Sequence, residues 1–392
     1  MQGAPPALVV PRLDWDRPPW NRWAFQHIRE ILPTAEVWRG AAPPGSLPVA
    51  PQDIGALAFT RVDGSATTIE AHLEETYTDG FLVALGGKVI AERYFNGMTP
   101  RTLHLSQSMS KSVVSATAGV LIGRGLLDPA APLTSYIPEL AATAYAGATL
   151  QHVLDMTSGV AFVEEYVDRY SDVGQMDVAS GWKPIPPDSD PAFRWPAHVF
   201  EQIMGLRTLE AEHGSRFLYR SIETDVLAFA MERVTGKRLP ELVSSLLWAP
   251  MGAEESANFT LDAAGYALAS GGLSASLRDY ARFGLVILNG GRSHGQQVVP
   301  VDWIADIRRG PHGLTNDYLR QSLPNGCYRN QFWVEDRERE TVMCRGVFGQ
   351  LIYIAPEHDL VVVKLSSYPD FLNLSYGLDT RRAIEAIVQA LA

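Results

Sequence analysis

Strand-forming runs at both ends of a 392-residue chain, around a helical middle, are the feature that most limits its fold. The apolar run 81–85, then Gly86-Gly87, then the run 89–94 read as a β-hairpin, because paired glycines accept the positive φ that two-residue turns demand. After residue 295 strand signals return at 297–299, 330–334, 351–355 and 360–365. The last two are separated by Pro356-Glu357-His358-Asp359, residue types that favour a turn. Between these ends, 150–156 and 225–234 carry apolar residues at helical spacing, the second stopped by Gly236. A helical segment is also predicted near 22–32, and an amphipathic helix over 380–391. The expected fold is α+β: an antiparallel sheet flanked by helices, built from both termini, with an all-helical domain inserted. The predicted boundaries are 1–130, 131–282 and 283–392. Residues 164–187 have no clean period and end in Pro184-Ile185-Pro186-Pro187, which predicts a lid or binding loop.

Composition narrows the function. The net charge of −11, spread without acidic runs, disfavours nucleic acid or an anionic membrane surface as partner. Cys327 and Cys344, the only cysteines, make neither a disulfide framework nor a zinc motif. No signal peptide and no membrane span are legible, so a cytoplasmic location is expected, with a homodimer left open. No metal-ligand pattern is found among the nine histidines, and neither a metal nor an organic cofactor is expected.

Chemistry enters at Ser108-Met109-Ser110-Lys111. Positions i and i+3 share one helical face, so the ammonium can reach the hydroxyl. Val113, Val114, Val120 and Leu121, repeating at seven residues, supply the helix. A neutral lysine beside a serine is a nucleophile with its own base, able to transfer acyl groups without histidine. The alternative for these four residues is a serine N-cap beside a solvated lysine. The chain has five lysines, which makes one in this position more noticeable. A second Ser-x-x-Lys, Ser180-Gly181-Trp182-Lys183, holds a glycine and precedes Pro184, so it reads as loop. Gly291-Arg292-Ser293-His294-Gly295 matches Gly-x-Ser-x-Gly, but a helix precedes it and a strand follows, the reverse of a nucleophile elbow. Tyr219, in Tyr219-Arg220-Ser221, is placed to relay a proton to a leaving group.

Ser108 to Lys111, Tyr219-Arg220-Ser221, residues 149–159 and Phe348-Gly349-Gln350 together resemble the serine β-lactamase and penicillin-recognising family, class C branch. The resemblance is fullest to the nylon-oligomer hydrolases within it, from Pro18 almost to the C-terminus. It implies Ser108 as the acylated nucleophile, Lys111 as general base and Tyr219 as proton relay. The Ser108 backbone N–H would form half of an oxyanion hole. The other half would come from the strand at Arg345, with Cys344 as the competing register. Tyr166 would bond the substrate amide nitrogen, Asp177 the free amino end, Trp182 would sit on a mobile loop, and Ser270 occupies a position that tunes substrate preference. The implied activity is hydrolysis of short linear amides and carboxylic esters, with a small-molecule substrate. The alternatives are a β-lactamase or D,D-peptidase, and a non-catalytic recognition module. The family's Lys-Thr-Gly motif is missing, its strand reading Thr341-Val342-Met343-Cys344-Arg345-Gly346.

Overall fold

In the computed structural model, which describes residues 9–310, 314 and 316–391, the N-terminal hairpin is formed by β1 (Thr78–Leu85) and β2 (Lys88–Tyr94). Gly86 and Gly87 turn it with φ of 57° and 71°. The C-terminal strands are β3 (Cys327–Arg329), β4 (Phe332–Asp336), β5 (Thr341–Gly346), β6 (Gln350–Ala355) and β7 (Leu360–Ser366). They assemble in the order β3-β4-β5-β6-β7-β1-β2, antiparallel throughout. The pairing of β7 with β1, in register at Val361↔Ala84 and Val363↔Leu82, joins the two ends of the chain.

Five helices bear on the site: α1 (Ser110–Gly123), α2 (Asp172–Ala179), α3 (Ile222–Thr235), α4 (Leu277–Leu288) and α5 (Leu374–Leu391). Val361 and Val363 of β7 share one core with Phe283 and Ile287 of α4. Leu360 and Val362, pointing the other way, meet Ile384 and Ile387 of α5. Burial on both faces explains why β7 reads as an unbroken apolar run rather than an alternating one. Each such side chain contributes about 1.5–3 kcal/mol. Apart from Lys111, helix α1 is built of apolar and small residues because it is enclosed: Gly119 faces the Trp303 ring and Gly123 faces Pro300.

The expected α+β architecture is what the chain forms, with differences in detail. A second sheet, in the order Thr34–Val37, Ala257–Thr260, Leu273–Ser276, Leu103–Leu105, has strands of three or four residues. Two of these lie in the stretch expected to be all-helical. Strand 297–299 reduces to a Gln296–Gln297 pairing, because Val298 and Val299 turn back to bond the Gly291 carbonyl. Asn330 and Gln331, expected in a strand, take φ of 47° and 64° and make a buried turn between β3 and β4. Ser112 and Ser115 of α1 donate to the carbonyls of Gln331 and Asn330 at 2.8 and 2.6 Å, which anchors the helix there. The stretch 164–187 is not wholly irregular. It contains α2, capped by the Ser171 hydroxyl accepting from the Gly174 N–H at 3.1 Å. The Gly-x-Ser-x-Gly match is a turn between the paired segments Arg292–Ser293 and Gln296–Gln297, with Ser293 Oγ donating to the Met251 carbonyl. No helix among the described residues is long and apolar enough to cross a membrane.

Candidate active site

The strand Leu103–Leu105 delivers the chain to a tight turn ahead of α1. The Ser106 N–H bonds the Leu273 carbonyl at 2.8 Å, and Gln107 then adopts φ +50°. A left-handed residue with a side chain costs about 1–2 kcal/mol, a strain found mainly where surrounding contacts enforce it. A short 3₁₀ turn, Gln107–Met109, leads into α1. From His104 to Leu121 every residue is buried except Ser108. The turn therefore presents one hydroxyl to the cleft.

Beneath it lies Lys111, 1% exposed. Its Nζ donates to Ser108 Oγ at 2.9 Å and to the Ser270 carbonyl at 2.7 Å. Burial pulls its ammonium down to about 8, against the Glu164 and Asp225 carboxylates, which favour the charged form. Asp225, on α3, accepts from the Ala269 N–H at 2.8 Å, and burial pushes it up to about 7. A lysine so held can be neutral near physiological pH and accept the serine proton.

Tyr219 sits just before α3, its ring under the Lys111 ammonium at 5.2 Å and stacked on Trp333 at 5.5 Å. Trp333 in turn lies 5.2 Å from the Arg345 guanidinium. Glu164 accepts from the Ser221 N–H and hydroxyl at 2.9 and 2.5 Å and from the Tyr166 hydroxyl at 2.8 Å, tying the lid segment to the tyrosine loop. Tyr166 stacks on Phe371 at 5.4 Å, and burial, with Glu164 adding to it, keeps its phenol protonated.

Ser108, Tyr166, Asp177, Trp182 and Ser270 line one cleft. Trp182 is pinned: its Nε1 donates to Thr260 Oγ1 at 2.9 Å, and its carbonyl accepts from Trp15 Nε1 at 2.8 Å. Asp177 projects from α2 and meets Lys183 at 3.3 Å. Burial raises Asp177 to about 6, with Lys183 opposing and Asp16 adding. In Lys183 burial works downward, but Asp177 and Asp16 outweigh it and hold the ammonium above its ordinary value.

Arg345 and Cys344 alternate across β5. The Cys344 thiol is fully buried toward Ser112 of α1 and pushed up to about 12 by that burial, whereas Arg345 borders a second cavity with Lys364, Tyr368 and Phe371. The next residue, Gly346, touches the turn that carries Ser108. A Cβ there would stand 2.5 Å from the Ser106 carbonyl and 3.0 Å from Gln107 Cβ. Gly346→Ala is expected to push β5 off that turn, costing about 1–3 kcal/mol. Turnover of p-nitrophenyl butyrate should fall at least about tenfold. Thermal unfolding and kcat, measured together, check both; an unchanged kcat would show that β5 does not support the site.

The cleft thus brings together Ser108, Tyr166, Asp177, Trp182 and Ser270, with Lys111 under its floor. Tyr219 and Arg345 approach from the Trp333 side. Sequence reasoning missed Asp16, Glu164, Asp225 and Phe371. Asp225 was read only as part of a helical period, and the others come from loops whose spacing gives no signal. Among the described residues no group of three or more His, Cys, Asp or Glu side chains is arranged to hold a metal ion.

Residues 66–384 match the family model described as Beta-lactamase. The chain is 40% identical to a 6-aminohexanoate-dimer hydrolase of Paenarthrobacter ureafaciens, over 97% of this chain and 96% of that protein. A Bacillus anthracis protein provisionally assigned as a 6-aminohexanoate-dimer hydrolase superposes with a TM-score of 0.87 at 29% identity, covering 99% of this chain and 98% of that one. A family VIII carboxylesterase shares the fold at a TM-score of 0.60 and 16% identity, over 82% of this chain and 95% of its own.

Proposed function

Since the chain belongs to the beta-lactamase family, we propose that it hydrolyses short linear amides of the 6-aminohexanoate-dimer type and carboxylic esters through an acyl-enzyme on Ser108. One observation carries this reading: a buried lysine, its ammonium lowered to about 8, stands 2.9 Å from Ser108, the one residue between His104 and Leu121 that is not buried. In the proposed cycle Ser108 Oγ attacks the carbonyl carbon and its proton passes to Lys111. The C–N or C–O bond breaks, with Tyr219 relaying a proton to a departing amine. Water then attacks the ester of Ser108, which leaves as the free hydroxyl. The N–H of Ser108, at the mouth of α1, and that of Arg345 are the proposed oxyanion donors, with Cys344 as the alternative to Arg345.

Tyr219→Phe separates the roles. An amine must be protonated as it leaves, whereas p-nitrophenolate departs as a stable anion. The variant should lose about 10²-fold or more on the aminohexanoate dimer and much less on p-nitrophenyl acetate or butyrate. Equal losses would remove Tyr219 from the relay. Nitrocefin completes the panel. Turnover of it at rates matching the dimer would favour the β-lactamase reading, in which Arg345 would stand in for the missing Lys-Thr-Gly lysine.

A further inference from the structure

The face of the seven-stranded sheet turned toward α5 holds a cavity that the proposed chemistry does not use. Arg345 of β5 is in register with Leu351 of β6, and Leu351 with Lys364 of β7. Directly opposed residues point to the same face, so the two cations flank Leu351 with their Cα atoms about 10 Å apart. Both line the cavity, and its far wall comes from the first turns of α5. Gly377 leaves room in that wall, since a Cβ there would meet no atom within 4 Å. Met343, Leu374 and Leu378 add apolar surface, and Leu374 is exposed at the opening. Among the described residues, Phe371 is the only one that lines both this cavity and the cleft.

The charge of the cavity is unbalanced. Among the described residues no Asp or Glu lines it. Arg381, a third cation in the lining, is paired with Glu335 at 2.8 Å. Arg345 has no ion pair or side-chain hydrogen bond among the described residues and only overhangs the Trp333 ring at 5.2 Å. Lys364 Nζ donates to neutral acceptors alone: Ser366 Oγ at 2.5 Å, and the Thr76 carbonyl and Tyr368 hydroxyl at 3.4 Å. Burial pulls its ammonium down to about 7, with Asp79 opposing and Arg22 adding. A buried cation without an anion is costly, and a carboxylate arriving beside it relieves that cost.

We infer that this cavity binds a free monocarboxylic acid with a short apolar chain, its carboxylate on the Arg345 guanidinium within the field of Lys364, and its chain along Leu351 and Leu378 toward the space beside Gly377. The site lies outside the cleft, goes beyond the hydrolytic reading and does not depend on how Ser108 reacts.

Calorimetry with sodium hexanoate tests the site, while turnover of p-nitrophenyl acetate reports on the cleft. Hexanol keeps the chain without the charge, and hexylammonium chloride reverses the charge. Each should bind at least about tenfold more weakly than hexanoate. Butyrate, shorter by two methylenes, should also bind about tenfold more weakly. Arg345→Gln removes the guanidinium and should weaken hexanoate about tenfold or more. Gly377→Leu fills the space meant for the chain, and leucine is the better helix former, so the fold should hold. It should abolish hexanoate binding and leave kcat/KM for p-nitrophenyl acetate within about twofold of the native value. Hexanoate that fails to bind, or that binds the native and Gly377→Leu proteins equally, would overturn the site, the second result placing the acid in the cleft. Equal affinity for hexanol and hexanoate would overturn it as well, because the cations would then play no part.

Discussion

Ser108→Ala is expected to lower kcat for p-nitrophenyl butyrate by about 10⁴-fold or more, the scale on which loss of a serine nucleophile is felt. The fold should barely notice. Ser108 is the one side chain of its turn that is not buried. Without Oγ, the Lys111 ammonium keeps the Ser270 carbonyl as acceptor at 2.7 Å. The unfolding free energy should therefore change by no more than about 0.5 kcal/mol. Mass spectrometry of the quenched reaction adds a direct test: the butyryl group should appear on a peptide containing Ser108 in the native chain and vanish in the variant. Turnover within tenfold of the native enzyme would mean that another group is acylated. Lys364 and Ser366 make a similar pair, with Tyr368 nearby, but Lys364 and Ser366 are fully buried and offer no attack on a substrate in the cleft.

The elements that carried the fold in the sequence are those whose burial is strongly patterned. The hairpin of β1 and β2 was legible from its Gly-Gly turn, β6 and β7 from apolar runs closed by a proline turn, and α3 from its period and Gly236. The strands of the second sheet were not, because at three or four residues they have too few positions to show alternation. The turn at Asn330 and Gln331 was hidden for another reason. It is buried and polar, satisfied by Asp155, Asp306, Gln151 and α1 from distant parts of the chain, so no local pattern announces it. The site divides the same way. Ser108 and Lys111 share one helical turn and could be read as a unit. Asp16 and Lys183 are 2.9 Å apart in space but belong to segments far apart in the chain. Lys183 was set aside with its serine as loop, and its ion pairs with Asp16 and Asp177 lie outside that motif.

Lys111→Met is the second change expected to abolish turnover, by about 10³–10⁴-fold. Methionine fills the space of the lysine stem but can neither accept the Ser108 proton nor hold the hydroxyl in line. The pH profile distinguishes this from mere disturbance of packing. Lys111 is lowered from 10.5 to about 8, so its protonated fraction dominates at pH 6–7, and kcat/KM of the native enzyme should rise with pH and level off above about 8. The residual activity of the variant should lack that limb. Asp225→Asn, which withdraws an anion that favours the charged lysine, should move the limb to lower pH; a shift upward would mean that Asp225 does not act on Lys111 through its charge. The double variant decides whether the two residues are one device. If Lys111 serves only to activate Ser108, then Ser108→Ala with Lys111→Met should be no slower than Ser108→Ala alone, because the lysine has nothing left to act on. Losses that multiply would instead give the lysine a role in the cleft that does not pass through the serine.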